Sequence, residues 1–348
     1  MYEKEHFRRP PRIIPENKEK IRLRNVAPLI NYTKPDLNRI IAYFITFAKQ
    51  IEYIILKQTH IHTHENKFKA VKASKRGNDV YANRVKNRFD QLLELPDYKN
   101  YEYKNRSQNH PTNIIYATFT LRREKPLAEA WYGIGVLFNR YKSALTRKYG
   151  KINVIRVWES HKDGYPHIHA IFIFEEKWFT AFWHRGQKKH CWRIKEYRDL
   201  KKYWKYGHSD IKSVDSFRGG VFYLKKYLSK TIVNVDALMN DYTLEDYTEK
   251  QKENTITTMA MLWIFRKRSF SISRDTFDLI RELHNSNTED KKQLIQTDLE
   301  GNIVYSWSLV GFFSGKIIQN GVILWSIQIT NKQFFEMKKT DAFQEIGH

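Results

Sequence analysis

The chain has 348 residues, with a hydrophobic share of 41% and an aromatic share of 15%; that is enough for a core and excludes wholesale disorder. The net charge of +23 points to a polyanionic partner, and the single cysteine, Cys191, excludes an internal disulfide framework and fits a reducing compartment. No apolar stretch reaches the roughly 18–20 residues of a membrane span, and the charged start of the chain lacks a signal-peptide core, so the expectation is a soluble, cytoplasmic protein without a membrane partner.

Residues 1–30 read as a basic, partly extended arm. Residues 35–57 begin at a proline and carry helical apolar spacing, which predicts a helix. Residues 66–95 are basic and end in "NRVKNRFDQLLEL", a second helix. The polar stretch 96–113 is a linker. "IIYATFTL" (114–121) reads as a strand, and 126–150 as a long amphipathic helix closed by Gly150. "INVIRVWES" (152–160) and "HIHAIFIF" (167–174) are strands joined by "HKDGYP", where Asp163-Gly164 suits a hairpin. Residues 175–206 read as helical and basic, 209–214 as a short strand and 219–230 as a helix. The tail adds a helix near 274–284 and two strands, "NIVYSWSLVGF" and "GVILWSIQI". The order predicts an α+β fold: an antiparallel sheet with helices on one face. Three regions follow: a basic arm with helices (1–107), a central domain (108–245) and a small C-terminal α/β region (246–348).

Strand alternation sends His167 and His169 to one face. With the loop centred on Asp163, Glu159 lies across from His167 and shares that face. Two imidazoles and a carboxylate form an open divalent-metal site; two sheet-surface histidines without metal are the alternative. In the helix "YLKKYLSK", Tyr223, Lys226, Tyr227 and Lys230 form one stripe, opposite Val221, Leu224, Leu228 and Ile232. A phenol with an ordinary pKa of ~10 needs cations nearby to act as a nucleophile; a basic amphipathic helix is the alternative. Residues 184–205 carry nine Lys/Arg against two acidic residues. Lys188, Lys189, Lys201 and Lys202 interleave there with Trp192 and Trp204, as in a single-strand DNA track. Three patterns are set aside: His60, His62 and His64 as a solvated loop, His184/His190/Cys191/His208 as lacking a metal-ligand spacing, and "GFFSGKI" as no P-loop.

The motifs "ATFTLRRE", "GYPHIHAIF" and "YLKKYLSK", in that order, resemble those of HUH-superfamily endonucleases, specifically rolling-circle replication initiators of plasmids or viruses, of the two-tyrosine, archaeal-like type. "YWKYGHSDIKSV" and "MLWIFRKRSFSISR" resemble flanking family segments. The resemblance implies an RRM/ferredoxin-like sheet, with His167, His169 and Glu159 holding Mg2+ or Mn2+. It makes Tyr223 and Tyr227 the nucleophiles and Lys226 and Lys230 the motif lysines. The implied activity is nicking and rejoining of single-stranded DNA at an origin hairpin, through a 5′-phosphotyrosyl bond that leaves a 3′-OH. A host helicase and polymerase are the implied partners. The first motif reads Thr-Phe-Thr-Leu and is given no catalytic residue. A two-tyrosine HUH transposase and a non-catalytic DNA-binding repressor with the same fold remain as alternatives.

Overall fold

The computed structural model describes residues 34–60, 62–64, 66–95, 105–185, 190–239, 248–285, 296–297, 303–315 and 343–345. It begins with α1 (Lys34–Lys49), β1 (Ile51–His60), β2 (Asn66–Lys72), α2 (Asp79–Asp90) and a 3-10 turn at Gln91–Glu94. The central part holds β3 (His110–Thr112), β4 (Ile114–Thr120), α3 (Leu127–Tyr149), β5 (Ile152–Ser160), β6 (Pro166–Phe174), β7 (Phe179–Arg185), β8 (His190–Ile194), α4 (Tyr197–Lys201), β9 (Ser209–Ser213) and α5 (Phe217–Ser229). Then come α6 (Val235–Met239), α7 (Glu249–Ile264), β10 (Phe270–Ile272), α8 (Arg274–Asn285), β11 (Gln296–Thr297), β12 (Ile303–Gly315) and β13 (Phe343–Glu345).

The expected α+β class holds. The central sheet runs β10-β5-β6-β4-β9 and is antiparallel throughout. With β4, β5, β6 and β9 taken as first to fourth, the spatial order is 4-1-3-2, that of an RRM-like split βαβ fold, and β10 extends the edge beside β5. There are also a second five-stranded sheet, β11-β12-β1-β2-β13, and a three-stranded sheet, β3-β7-β8.

The long helix α3 forms because Leu127, Ala130, Trp131, Ile134, Phe138, Tyr141 and Leu145 recur at helical spacing and are buried. Glu129 in its first turn and Arg147 and Lys148 in its last complement the helix dipole. Gly150, at φ +81, ends it by returning its N–H to Thr146. Its apolar stripe meets Ile115, Ala117, Phe119, Val154, Trp158, Ile168, Ala170, Phe172 and Phe174 from alternate positions of β4, β5 and β6. A Phe138→Ala cavity there would cost roughly 3–5 kcal/mol. The other face of the sheet is covered in part. Phe217, Val221, Leu224 and Leu228 of α5 pack on Tyr116, Ile155, Val157 and Ile171, with Phe89 and Leu92 alongside. Because β6 is central and packed on both sides, it reads as an almost unbroken apolar run.

The regions on either side enter the same cores. Leu37, Ile40 and Phe44 of α1 and Met259, Ala260, Met261, Leu262 and Ile264 of α7 belong to the α3-side cluster. Trp263 lies 5.7 Å from Phe44 and 5.0 Å from Phe47, ring to ring.

Several sequence expectations are corrected. The helix assigned to 35–57 stops at Lys49, and Ile51–His60 is a strand paired with β2 and β12. The β-branched and aromatic run "IEYIIL" finds strand partners far away in the chain, which local spacing does not register. The basic stretch 175–206 is mostly the β7–β8 hairpin, with one turn and a half of helix at Tyr197–Lys201. His60 ends β1, and His62 and His64 follow it before β2; His60 Nδ1 accepts from the backbone N–H groups of His62 and Thr63. The arm 1–30, the first half of the linker (96–104), Lys188, Lys189 and the strand "GVILWSIQI" lie outside the described residues. Among the described residues, no helix is long and apolar enough to cross a membrane.

Candidate functional site

The β5–β6 hairpin sets the register on which the site depends. Glu159 pairs with His167 and Ser160 with Pro166. The loop is held by His161 N–H to the Tyr165 carbonyl (2.8 Å), Gly164 N–H to the His161 carbonyl (2.9 Å) and Trp131 Nε1 to the Gly164 carbonyl (2.8 Å). Gly164 sits at φ +80, where a side chain is strained. On the other side of β6, His169 faces Thr118 and His167 faces Thr120 of β4.

Glu159, His167 and His169 therefore converge: one ligand atom from each lies within 4.8 Å of the others, and among the described residues this is the one such group. Glu159 is buried. Its Oε1 accepts from Lys230 Nζ at 2.7 Å and Asn254 Nδ2 at 3.5 Å, and its Oε2 from His169 Nε2 at 2.8 Å. Burial pushes its pKa up, but His169 and the Lys230 ammonium outweigh it and hold the carboxyl at about 2. The two histidines move the other way. Burial keeps His169 below its ordinary value against the pull of Glu159, and burial together with His169 holds His167 well below it. Both rings are neutral at pH 7, the state in which imidazole ligates metals. His169 then donates from Nε2 to Glu159, and its Nδ1 accepts from the Tyr116 hydroxyl with Thr118 Oγ1 3.2 Å away. The Nε2 atoms of His167 and His161 are buried without a hydrogen-bond partner among the described groups. An ionised carboxylate, the orphaned nitrogen of His167 and a neutral His169 fit a divalent cation, which His169 would ligate through Nε2 in its other tautomer, with the proton on Nδ1 toward the Tyr116 hydroxyl.

Helix α5 starts at Ser216, whose side chain accepts from the Gly219 N–H, and is anchored by its apolar side. That anchoring lays Tyr223 and Tyr227 on the histidine side of the sheet. The Tyr227 ring stacks on His169 with centroids 3.4 Å apart and 20° between planes, and its hydroxyl donates to that of Tyr223 at 3.0 Å. Lys230 lies over the Tyr227 ring at 5.3 Å. Lys212 of β9 reaches the Tyr223 hydroxyl at 3.5 Å. Burial, with the neighbouring Tyr223 and Glu159, pushes the Tyr227 phenol above its ordinary pKa, so in this state it is a phenol rather than a phenolate. Lys226 is not brought to the cluster; it is exposed, one residue from Lys225, which pairs with Asp90 at 2.6 Å.

The residues expected to track DNA divide. Lys201 and Lys202 are exposed, with Lys202 bonded to Asp199 at 2.9 Å. Trp204 is buried in the core against Phe119, and Trp192 is buried opposite Trp183 in the β7–β8 hairpin. Stacking of bases on these two tryptophans is corrected: their ring faces already serve packing, whereas cross-strand Trp183 is half-buried, with Arg106 4.4 Å above its ring.

Besides Lys212, four neighbours of the cluster have no assigned role from sequence. Tyr116 and Thr118 lie on β4, whose motif was given no catalytic residue. His161, three residues before Gly164, stacks on His167 at 4.6 Å. Asn254 comes from α7, and nothing in its local sequence announces it.

The fold and the cluster together define an RRM-like domain with a group of residues that could hold a divalent metal. Residues 114–232 match a family described as Replication-associated protein, of the ORF2 kind, and this supports the resemblance to rolling-circle replication initiators and a role in replication. No curated protein and no solved structure matches the chain.

Proposed function

We propose that the protein initiates replication by nicking single-stranded DNA with a tyrosine, and rejoins strands by the reverse step. The observation that carries this is the juxtaposition of the Glu159–His167–His169 group with a tyrosine ring stacked on His169 and a second hydroxyl 3.0 Å from the first. A divalent cation, Mg2+ or Mn2+, held by Glu159, His167 and His169, would withdraw charge from the scissile phosphate.

The chain's own groups supply the rest. Tyr116 and Thr118 orient His169, and Lys230 keeps Glu159 ionised. Oη of Tyr223 or Tyr227 forms a bond to phosphorus, and the bond from phosphorus to the 3′ oxygen breaks with its electron pair. The phenolic proton passes to that oxygen, so a 3′-OH and a 5′-phosphotyrosyl ester result and no water is consumed. Reversal restores the strand. Lys212 and Lys230 place positive charge beside the developing phenolate. Incubation with single-stranded DNA from the parent replicon and Mn2+ should give a protein–DNA adduct that survives denaturation. Absence of an adduct across a full set of replicon fragments would favour the repressor reading.

A further inference from the structure

The face of the central sheet opposite the histidines holds a group of cations that the nicking chemistry does not use. Arg156 is on β5, and by alternation its side chain leaves the strand on the side of Val154 and Trp158, toward α3. An apolar residue is the ordinary occupant of such a position. The guanidinium bonds instead to two neutral acceptors, Ser271 Oγ at 2.7 Å and Asn139 Oδ1 at 3.3 Å, and lies 5.0 Å from the Trp158 ring. Lys267, on the turn after α7, lies 5.4 Å from the same indole. Gly135 of α3 lies alongside, where a Cβ would stand 3.9 Å from Lys267 Nζ, an ordinary contact distance. Among the described residues neither Arg156 nor Lys267 has a carboxylate partner. Burial and the Arg156 charge both lower the pKa of Lys267, and burial lowers that of Lys142.

A groove opens beside these cations, with Lys142 in its lining and Arg156 and Lys267 next to it. Gly135, Asn139, Lys142 and Thr146 stand at i, i+4, i+7 and i+11 on α3, one stripe of small, polar and cationic residues. The stripe continues into a cavity of about 450 Å³ lined by Lys142, Thr146, Lys151, Ser273, Arg274 and Asp275. Asp275 is engaged with Lys151 at 2.8 Å. Half-buried cations held by neutral acceptors are costly when unmatched, and an anion with several acceptor oxygens relieves that cost. A guanidinium is suited to a phosphate in both charge and geometry.

We propose that this groove between α3 and β10 binds the sugar–phosphate backbone of a nucleic-acid strand, with Arg156, Lys142 and Lys267 as the phosphate contacts. The proposal takes from the proposed function only that the partner is nucleic acid. The groove lies on the opposite face from Glu159, His167 and His169, so it would hold a part of the strand away from the scissile bond and contribute affinity rather than chemistry.

The test is binding of the full chain to a single-stranded oligonucleotide in EDTA, where cleavage cannot intrude, as a function of salt. The double variant Lys142→Gln/Lys267→Gln leaves Arg156 and its packing in place, and a thermal melt verifies the fold. Loss of two phosphate contacts should make the log–log salt slope shallower by about 1.4. The exposed pair Lys86→Gln/Lys250→Gln, on α2 and α7, should leave the slope as it is. An unchanged slope in the groove variant, or equal flattening by the control pair, would overturn the proposal. A parallel melt with inorganic phosphate separates a free-anion site from a strand site. If phosphate stabilises only the wild type while the salt slopes coincide, the groove binds small anions and the strand reading is wrong. Loss of nicking in the wild type would refute the proposed function and leave the binding slopes fully readable.

Discussion

At Glu159 two opposing effects meet: burial disfavours a carboxylate, and His169 together with one ammonium at 2.7 Å reverses the outcome. Lys230 is therefore part of the site's charge balance, whereas Lys226 faces solvent. Lys230→Gln should destabilise the protein by somewhat less than the roughly 3–5 kcal/mol of a fully buried broken pair, because Lys230 is partly exposed and His169 still bonds Glu159. Lys226→Gln should fall within about 0.5 kcal/mol of wild type. Urea denaturation of both variants checks the contrast, and equal effects would mean that the ion pair contributes nothing particular. His167→Ala should abolish the DNA adduct and the thermal stabilisation given by Mn2+, while most DNA binding survives on the distributed basic surface. Comparable loss of binding and cleavage would make the histidines structural. The tyrosines are not equivalent in their surroundings: Tyr227 is stacked and donates, while Tyr223 accepts and has Lys212 beside it. Tyr223→Phe and Tyr227→Phe should each retain nicking, to unequal degrees, and only the double variant should lose the adduct. One dead and one normal single variant would show a one-tyrosine enzyme.

At the scale of elements, the β5–β6 hairpin converts a two-residue periodicity into a candidate metal site. Glu159, His167 and His169 share a face only while the turn keeps its length and Gly164 its positive φ. Gly164→Ala should cost about 1–2 kcal/mol for the left-handed conformation, and its new methyl would also stand 3.2 Å from Leu37 Cδ1 and 3.3 Å from Met261 Sδ. A chemical denaturation midpoint unmoved by this change would show that the turn is not strained by a side chain. This part of the site was legible in the sequence because strand alternation and hairpin register are local rules, and the same holds for the α5 stripe that carries both tyrosines. What stayed hidden depends on partners far away in the chain. Lys212, Tyr116 and Asn254 become site neighbours only when β9, β4 and α7 pack together. The β7–β8 hairpin was misread because its charges suggested a solvated helix, although Phe179 and Ala181 alternate inward. Trp192 and Trp204 looked like base-stacking residues for a related reason: basic composition shows charge density but not which side of a strand is packed.

On the scale of the whole molecule, the family match ends at residue 232 and the apolar core does not. Leu37, Ile40 and Phe44 of α1 and Met259, Leu262 and Ile264 of α7 complete the cluster under α3, and Phe89, Leu92 and Ile280 complete the one under α5. The site leans on the same elements. Thr258 of α7 bonds Ser160, next to Glu159, at 3.0 Å, and Asn254 reaches Glu159 itself. A fragment limited to residues 108–245 would keep Glu159, His167, His169 and both tyrosines, yet expose the surfaces that these helices cover. At roughly 1.5–3 kcal/mol for each large apolar side chain no longer buried, the missing contacts exceed the roughly 5–15 kcal/mol by which domains of this kind are stable. The fragment should therefore be insoluble or lack a cooperative unfolding transition, and should form no DNA adduct, whereas a chain spanning 34–285 should unfold cooperatively. Calorimetry and the adduct assay on both fragments provide the check. A 108–245 fragment that melts in one sharp step and forms the adduct would show that the central domain is autonomous, with α1 and α7 as appendages rather than walls of the site.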